Sequence, residues 1–160
     1  MEVGVEITDV LKKTYLFYTL DEGELEILAR SARVERFPKG RAIFDEGDEG
    51  GPLYVIKTGR VSIKKALDEQ GQRSQLAELG QYFFFGEISL FDGGKRSASV
   101  EAVEDTECVI IEKSDFWAAM MANPASAHKV YRAILSVHSN AIRRANERFR
   151  EFLGTALGDA

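Results

Sequence analysis

A length of 160 residues suits one domain with a single hydrophobic core, and 44% hydrophobic with 29% charged residues exclude an intrinsically disordered chain. The net charge of −5 argues against broad, non-specific binding to nucleic acid, whereas a small anionic ligand responds to local charge. The acidic first residues and the lack of a long apolar run predict a cytoplasmic protein without a signal peptide or a membrane partner.

Residues 8–33 are predicted to be helical because apolar residues recur there at roughly helical spacing. These positions are Leu11, Leu16, Leu20, Leu25, Leu28 and Ala29. Asp21 and Glu22 open the second part of this region, and acidic side chains favour a helix N-terminus. The stretch from Phe37 to Gly40 contains Pro38 and ends the helical pattern.

Between Gly40 and Gly94 the pattern changes to short apolar runs separated by glycines, which is typical of an all-β sandwich, roll or barrel. Strands are predicted over residues 41–44, 53–56, 60–64, 98–103 and 107–111. The single cysteine, Cys108, lies in the last of these strands. We expect it to be a small buried residue, with no disulfide and no cysteine-based metal cluster.

Two helices are predicted after the strands. Ser114 is the expected N-cap of a helix over residues 115–121, and Asn123-Pro124 are expected to cap a second helix that continues to Gly154. A helix of about thirty residues is a rod of roughly 45 Å, more than a small domain needs to cover its core.

The apolar positions of the long helix alternate spacings of three and four. They are Leu135, His138, Ile142, Ala145, Phe149 and Phe152. This heptad pattern favours a parallel homodimer through residues 125–153. An amphipathic helix packed on its own domain is the alternative, because so short a pattern does not separate the two.

Residues 84–100 contain the groups that can bind a ligand. A strand ends in aromatic residues and turns at Gly86, and a short helical turn then presents free backbone amides that can face an anion. Arg96 can donate two hydrogen bonds to phosphate oxygens, while the carboxylate of Glu87 can accept one from a ribose hydroxyl. Together they predict a sugar–phosphate site, although each alone is also explained as a solvated charge or a turn residue.

Phe-Gly-Glu-Ile-Ser-Leu at residues 85–90 and Arg-Ser-Ala-Ser-Val at 96–100 resemble the phosphate-binding cassette of cyclic-nucleotide-binding domains. These are domains of the catabolite activator protein and cyclic-AMP-dependent kinase regulatory-subunit type, and further landmarks extend the resemblance over most of the chain. It implies a mainly β fold with flanking helices: a β-roll (double-stranded β-helix or jelly roll) with N-terminal helices over residues 1–124. A long C-terminal lid or dimerisation helix over 125–160 would belong to the same domain.

The resemblance also assigns roles to individual residues. Glu87 would bind the ribose 2′-hydroxyl, Arg96 the cyclic phosphate, and Ser97 the phosphate or the base. The implied ribose–phosphate site comprises Phe85, Gly86, Glu87, Ile88, Ser89, Arg96, Ser97 and Ala98. The implied base-contacting lid comprises His138, Asn140, Ala141 and Ile142. The ligand would be cAMP or cGMP, with no cofactor, metal or catalytic residue.

Two departures from the family pattern bear on the ligand. Tyr82-Phe83 replace a Gly-Asp pair that the family usually carries. Ala141-Ile142 stand where bacterial members place a Ser or Thr that contacts adenine. The sequence therefore leaves the base preference open.

The residues are compatible with two functions. The first is a homodimeric regulatory sensor without enzymatic activity, in which a cyclic nucleotide repositions the long helix and so signals to a downstream protein partner. The alternative is a degenerate β-roll that no longer binds nucleotide and serves as an interaction or dimerisation module. An enzyme ranks third, because His128 and His138 lie on different faces of one helix and cannot share a metal. No helix-turn-helix follows the long helix, so no DNA partner is expected.

Overall fold

The computed structural model describes residues 2–68 and 71–158, which form a β-roll of eight antiparallel strands with helices before and after it. The strands are β1 (Arg33–Phe37), β2 (Ala42–Phe44), β3 (Leu53–Thr58), β4 (Val61–Ala66), β5 (Arg73–Leu79), β6 (Phe84–Phe85), β7 (Ser99–Ala102) and β8 (Thr106–Ile111). The helices are α1 (Glu2–Lys13), α2 (Glu22–Ser31), α3 (Glu87–Asp92), α4 (Lys113–Ala122) and α5 (Pro124–Gly158). The predicted mainly β fold with flanking helices is confirmed.

The strands form two four-stranded sheets, in the orders β1-β8-β3-β6 and β2-β7-β4-β5. The first sheet is covered on both faces, because alternate residues of β3 and β8 belong to two different clusters of buried side chains. Val55 and its partner Val109 pack against the helices, whereas Tyr54 and its partner Ile110 pack against the second sheet. Burial on both faces explains why these strands are continuous apolar runs.

Cys108 is fully buried in β8 as a free thiol, as predicted. Burial raises the pKa of the Cys108 thiol to about 12. The thiol is therefore a structural group of the core rather than a reactive one.

Glu24 joins α2 to the first turns of α5. Its carboxylate accepts a hydrogen bond from the backbone N–H of Asp21 at 2.7 Å, and the Asp21 side chain accepts one from the Glu24 N–H at 2.9 Å, which forms a capping box. The same carboxylate accepts hydrogen bonds from Ser126 and Lys129, each at 2.7 Å. Asn123 caps α5 through bonds from Ala125 and Ser126, and Pro124 is the first helical residue, as predicted.

The helical prediction over residues 8–33 is wrong in its middle and at its end. α1 stops at Lys13, and three i→i+3 backbone bonds, to Leu11, Thr14 and Phe17, carry the chain through tight turns. Leu11, Leu16 and Leu20 remain buried, because successive tight turns also place side chains at regular intervals on the side that faces the core. Arg33 belongs to β1, where pairing with β8 extends the backbone.

Two more boundaries and the presence of β5 differ from the prediction. Ser114 is not the N-cap of α4, which begins at Lys113 after Glu112 and has no side-chain cap. α5 passes through Gly154 and continues to Gly158, since a glycine in a helix interior costs only about 1 kcal/mol. β5 was not predicted, because it is a mostly exposed edge strand without apolar alternation.

The distal half of α5 does not pack on its own domain. Val130, Ala133 and Ile134 are buried, but every residue from 139 to 156 is exposed. Packing on the same domain, the alternative left open by the sequence, therefore ends at His138. Among residues 2–68 and 71–158, no helix has both the length and the hydropathy needed to cross a membrane.

Replacing Glu24 by Gln is expected to destabilise the protein by about 1–3 kcal/mol at pH 7, because a buried charged acceptor is removed. Burial alone would raise the pKa of Glu24, but the hydrogen bonds from Lys129, Asp21 and Ser126 outweigh it and hold that pKa below its ordinary value of 4.5. A lowered folded-state pKa stabilises the protein above pH 4.5, and this contribution is lost as the pH falls through the folded value.

Urea unfolding of wild type and Glu24→Gln at pH 7 and pH 3 measures this contribution, and the deficit of Glu24→Gln should be smaller at pH 3 than at pH 7. Glu26→Gln is the control, since Glu26 lies on the same helix with 54% of its side chain exposed. A Glu24→Gln deficit of the same size at both pH values would contradict the assignment.

Candidate ligand-binding site

A cavity of about 130 Å³ opens where β6 leads into α3. All eight residues that the resemblance assigned to the ribose–phosphate site line it: Phe85, Gly86, Glu87, Ile88, Ser89, Arg96, Ser97 and Ala98. The fold thus brings the two halves of the motif to one place. Their binding roles stay predictions.

Five further residues line the cavity and were not among the predicted site residues: Phe44, Ile63, Leu79, Phe84 and Val100. They come from β2, β4, β5, β6 and β7, so both sheets contribute to the wall. Ile63 and Val100 lie in strands with visible alternation, and that alternation could have pointed to them. Leu79 had no such signal because its strand is an exposed edge.

Gly86 has a left-handed backbone, with φ of +82°, immediately before α3. A Cβ at this position would lie 2.7 Å from Nη1 of Arg96 and 3.0 Å from the carbonyl oxygen of Pro52. Glycine is therefore required at this position for two reasons, the positive φ angle and the close approach of the guanidinium.

Arg96 is buried, with 4% of its surface exposed, and the protein itself holds its guanidinium. Nη1 donates to the carbonyl oxygen of Gly86 and to Oγ of Ser89, and Nη2 donates to the carbonyl oxygen of Pro52, each at 3.0 Å. The group also lies over the ring of Phe44, 4.1 Å from its centroid. An arginine has five N–H donors, so two remain for a ligand after these three bonds.

Burial lowers the pKa of Arg96 from its ordinary value, and nearby negative groups, Asp48 and Glu87 among them, partly offset this. Arginine nevertheless stays charged at physiological pH. The cavity therefore contains a fixed positive charge that is shielded from water, where an anion interacts with it more strongly than at the surface.

Glu87 is the first residue of α3, and only 16% of its side chain is exposed. Burial raises the pKa of its carboxyl group, while its own backbone N–H and the nearby His138 and Arg96 act in the opposite direction. Nε2 of His138 lies 3.6 Å from Oε1 of Glu87, which brings α5 to the edge of the cavity.

The other three predicted lid residues, Asn140, Ala141 and Ile142, are exposed on α5, and they do not line the cavity. Every α5 residue from 139 to 156 is exposed, which indicates that this part of the helix extends away from the domain. Base contact by these three residues stays a prediction.

Tyr82 shows why the family pattern has glycine at this position. Its φ of +68° is left-handed, a conformation that glycine adopts without strain. The ring packs against the core below the helices, and Lys13 donates a hydrogen bond to its hydroxyl at 3.4 Å. These contacts hold a tyrosine in a conformation that its side chain disfavours.

The site combines a fixed cation with two unbonded donors, a largely buried carboxylate and apolar walls. This set of groups suits a ligand that has an anionic group, a hydroxyl and an apolar part. Among residues 2–68 and 71–158, no three His, Cys, Asp or Glu side chains lie close enough together to hold a metal ion.

Comparison with known proteins gives a family match that covers this site. The model of the cyclic nucleotide-binding domain family matches residues 34–123. The cyclic AMP receptor protein of Thermus thermophilus is 37% identical over 120 residues, which is 75% of this chain and 55% of that protein. The cGMP-dependent protein kinase of Plasmodium berghei is 32% identical over 120 residues, 74% of this chain and 13% of the kinase.

Solved structures agree with these sequence matches. A cyclic nucleotide-binding domain from Methylobacillus flagellatus superposes with a TM-score of 0.77 at 26% identity and covers 92% of this chain and 82% of its own. The chain spans about half the length of the Thermus thermophilus receptor that it matches.

Gly86→Ala and Gly93→Ala form a matched pair that tests the close packing at Arg96. Both glycines flank α3 with positive φ, but a Cβ at Gly93 would meet no atom within 4 Å. Gly93→Ala should cost about 1–2 kcal/mol from backbone strain alone. Gly86→Ala should cost a further 1–3 kcal/mol or so, because it also displaces the guanidinium. Urea unfolding at pH 7 measures both, and equal costs would show that Arg96 does not depend on the absence of a side chain at Gly86.

Proposed function

Because this chain belongs to the cyclic nucleotide-binding domain family, we propose that it is a cytoplasmic regulatory sensor that binds cAMP or cGMP through residues 85–89 and 96–98. The observation that carries the proposal is the buried guanidinium of Arg96, which keeps two donors unbonded in a cavity that Glu87 also lines. The family is one of ligand-binding regulatory domains, and the proposal includes no enzymatic step.

Arg96 would bind the cyclic phosphate. Its guanidinium is already held by Gly86, Ser89 and Pro52, so little conformational entropy is lost when a phosphate arrives. Two phosphate oxygens can accept hydrogen bonds from the two remaining N–H groups. Their negative charge also compensates the charge of the desolvated guanidinium. Ser97, exposed at the rim, would add a hydroxyl to the phosphate or the base.

Glu87 would accept a hydrogen bond from the ribose 2′-hydroxyl, and the apolar walls would pack against the sugar. The relatives with similar sequences include a cyclic AMP receptor and a cGMP-dependent kinase, so similarity favours neither base. Ala141 and Ile142 carry no hydroxyl that could bond to adenine. Both cAMP and cGMP are therefore proposed as ligands.

The signal would pass through α5. One face of its first half, with Val130, Ala133 and Ile134, is buried in the core, and Glu24 fixes this half to α2, while its second half is exposed. We infer that the bound nucleotide favours one of two packings of this helix, and that a downstream protein partner recognises the result.

The exposed half of α5 supports a homodimer through residues 125–153. Leu135, Ile142, Phe149 and Phe152 are each at least 60% exposed and follow the heptad spacing. Pairing two such helices would bury these apolar side chains, which a single chain leaves in water.

Three observations favour the alternative function, a degenerate β-roll that only mediates interactions. The cavity of about 130 Å³ is smaller than the roughly 300–1,000 Å³ of ordinary ligand pockets. Arg96 already uses three donors within the protein, and Tyr82-Phe83 have replaced the family's Gly-Asp pair.

Calorimetric titration of the full chain with cAMP and, separately, with cGMP distinguishes these functions. The sensor should show saturable binding near one ligand per chain, and the ratio of the two affinities gives the base preference. Absence of both heat and thermal stabilisation up to about millimolar ligand would instead support the interaction module.

Arg96→Ala is expected to weaken nucleotide binding by about 2–5 kcal/mol, because it removes the partner of a desolvated phosphate. Lys95→Ala is the control, since this neighbouring side chain is 67% exposed and pairs only with Glu49 among the described residues. Arg96→Lys keeps the charge but lacks the planar fork, so it should lose part of the affinity. Thermal unfolding checks that each variant is folded. Wild-type affinity in folded Arg96→Ala would refute the site assignment.

Ile142→Glu is expected to convert the homodimer into a monomer, because it places a charge in the apolar seam. Light scattering after size-exclusion chromatography measures the mass. Arg144→Glu, equally on the exposed part of α5 but outside the heptad positions, should stay dimeric. A monomeric wild type at about 100 μM, a concentration at which a weak coiled-coil dimer forms, would exclude the proposed dimer.

A further inference from the structure

Among the α5 residues up to 156, whose burial the structure describes, His138 is the last that is partly buried. Its side chain is 38% exposed, and every residue from 139 to 156 is exposed. The partner it meets is Glu87, whose Oε1 lies 3.6 Å from Nε2 of the imidazole. The long helix thus ends its contact with the domain at the carboxylate that is proposed to bind ribose.

Glu87 is a largely buried carboxylate at the edge of the cavity. Its side chain is only 16% exposed, and burial raises the pKa of the carboxyl group. Its own backbone N–H, His138 from α5 and Arg96 from the cassette oppose this effect. The three hydrogen bonds of the Arg96 guanidinium go to Gly86, Ser89 and Pro52, so that cation is oriented by other groups.

The contact between His138 and Glu87 is longer than a hydrogen bond but within the range of an ion pair. An imidazole at this distance attracts the carboxylate when it is protonated, and it restricts where Oε1 can lie. The other oxygen of the carboxylate can still accept a hydrogen bond from a hydroxyl group.

We propose that His138 is a positioning residue, which orients the Glu87 carboxylate for the ribose 2′-hydroxyl. This role rests on the proposed function and differs from the base contact that the resemblance implied for His138. It also couples the position of α5 to ribose binding. By linkage, a movement of α5 that withdraws His138 weakens the ribose contact, and ribose binding favours the packed position of α5.

The test compares cAMP with 2′-deoxy-cAMP, which lacks only the hydroxyl that Glu87 would accept. His138→Gln should lower the affinity for cAMP about tenfold and leave that for 2′-deoxy-cAMP within about twofold of wild type. Glu87→Gln should show the same selectivity, and the double variant should be no weaker than Glu87→Gln alone. His138→Lys, which restores a cation, should recover part of the discrimination between the two ligands.

Ser139→Ala is the control, as an exposed neighbour on the same helix that should bind both ligands like wild type. Equal losses for both ligands in His138→Gln would show that His138 contacts the base or only positions α5, and would overturn the proposal. Unchanged affinity for both would overturn it as well. If wild type bound neither ligand, the proposed function itself would fail, and the two failures are therefore distinguishable.

Discussion

Arg96 exposes only 4% of its surface, so its charged guanidinium must be compensated by the surrounding groups. The carbonyl oxygens of Pro52 and Gly86 and the hydroxyl of Ser89 accept its hydrogen bonds, and the ring of Phe44 covers one face. These groups come from the start of β3, the turn into α3 and β2. A single side chain therefore holds together the segments that form the cavity, and Gly86 must lack a side chain for it to do so.

The first sheet connects this cavity to the helices. Tyr54 of β3 stacks on Phe85 with ring centroids 4.9 Å apart, on the side that faces the second sheet. Its neighbour Val55 points the opposite way, into the cluster that contains buried residues of α4 and α5. Close-packed side chains of one strand, rather than a flexible loop, therefore lie between the cavity wall and the helices.

α5 meets the rest of the domain at two charged points. Near its start, Ser126 and Lys129 bond to the buried Glu24 of α2, and at the end of its packed half His138 meets Glu87. The first contact is a satisfied hydrogen-bond network with short distances, whereas the second is a longer ion-pair contact at the ligand cavity. The start of the helix is therefore anchored, and the contact at the end of its packed half is the looser of the two.

Features that depend on neighbours in the chain were readable from the sequence. The two halves of the cassette lie within 85–98, Asn123-Pro124 cap a helix from its first positions, and the burial of Cys108 follows from an apolar strand. Other features depend on packing between distant segments. Pro52 bonds to Arg96 across 44 positions, and β5 is recognisable as a strand only from its pairing with β4. The contact between His138 and Glu87 likewise depends on tertiary packing. It requires α5 to cross the domain at one particular angle, which a heptad pattern does not specify.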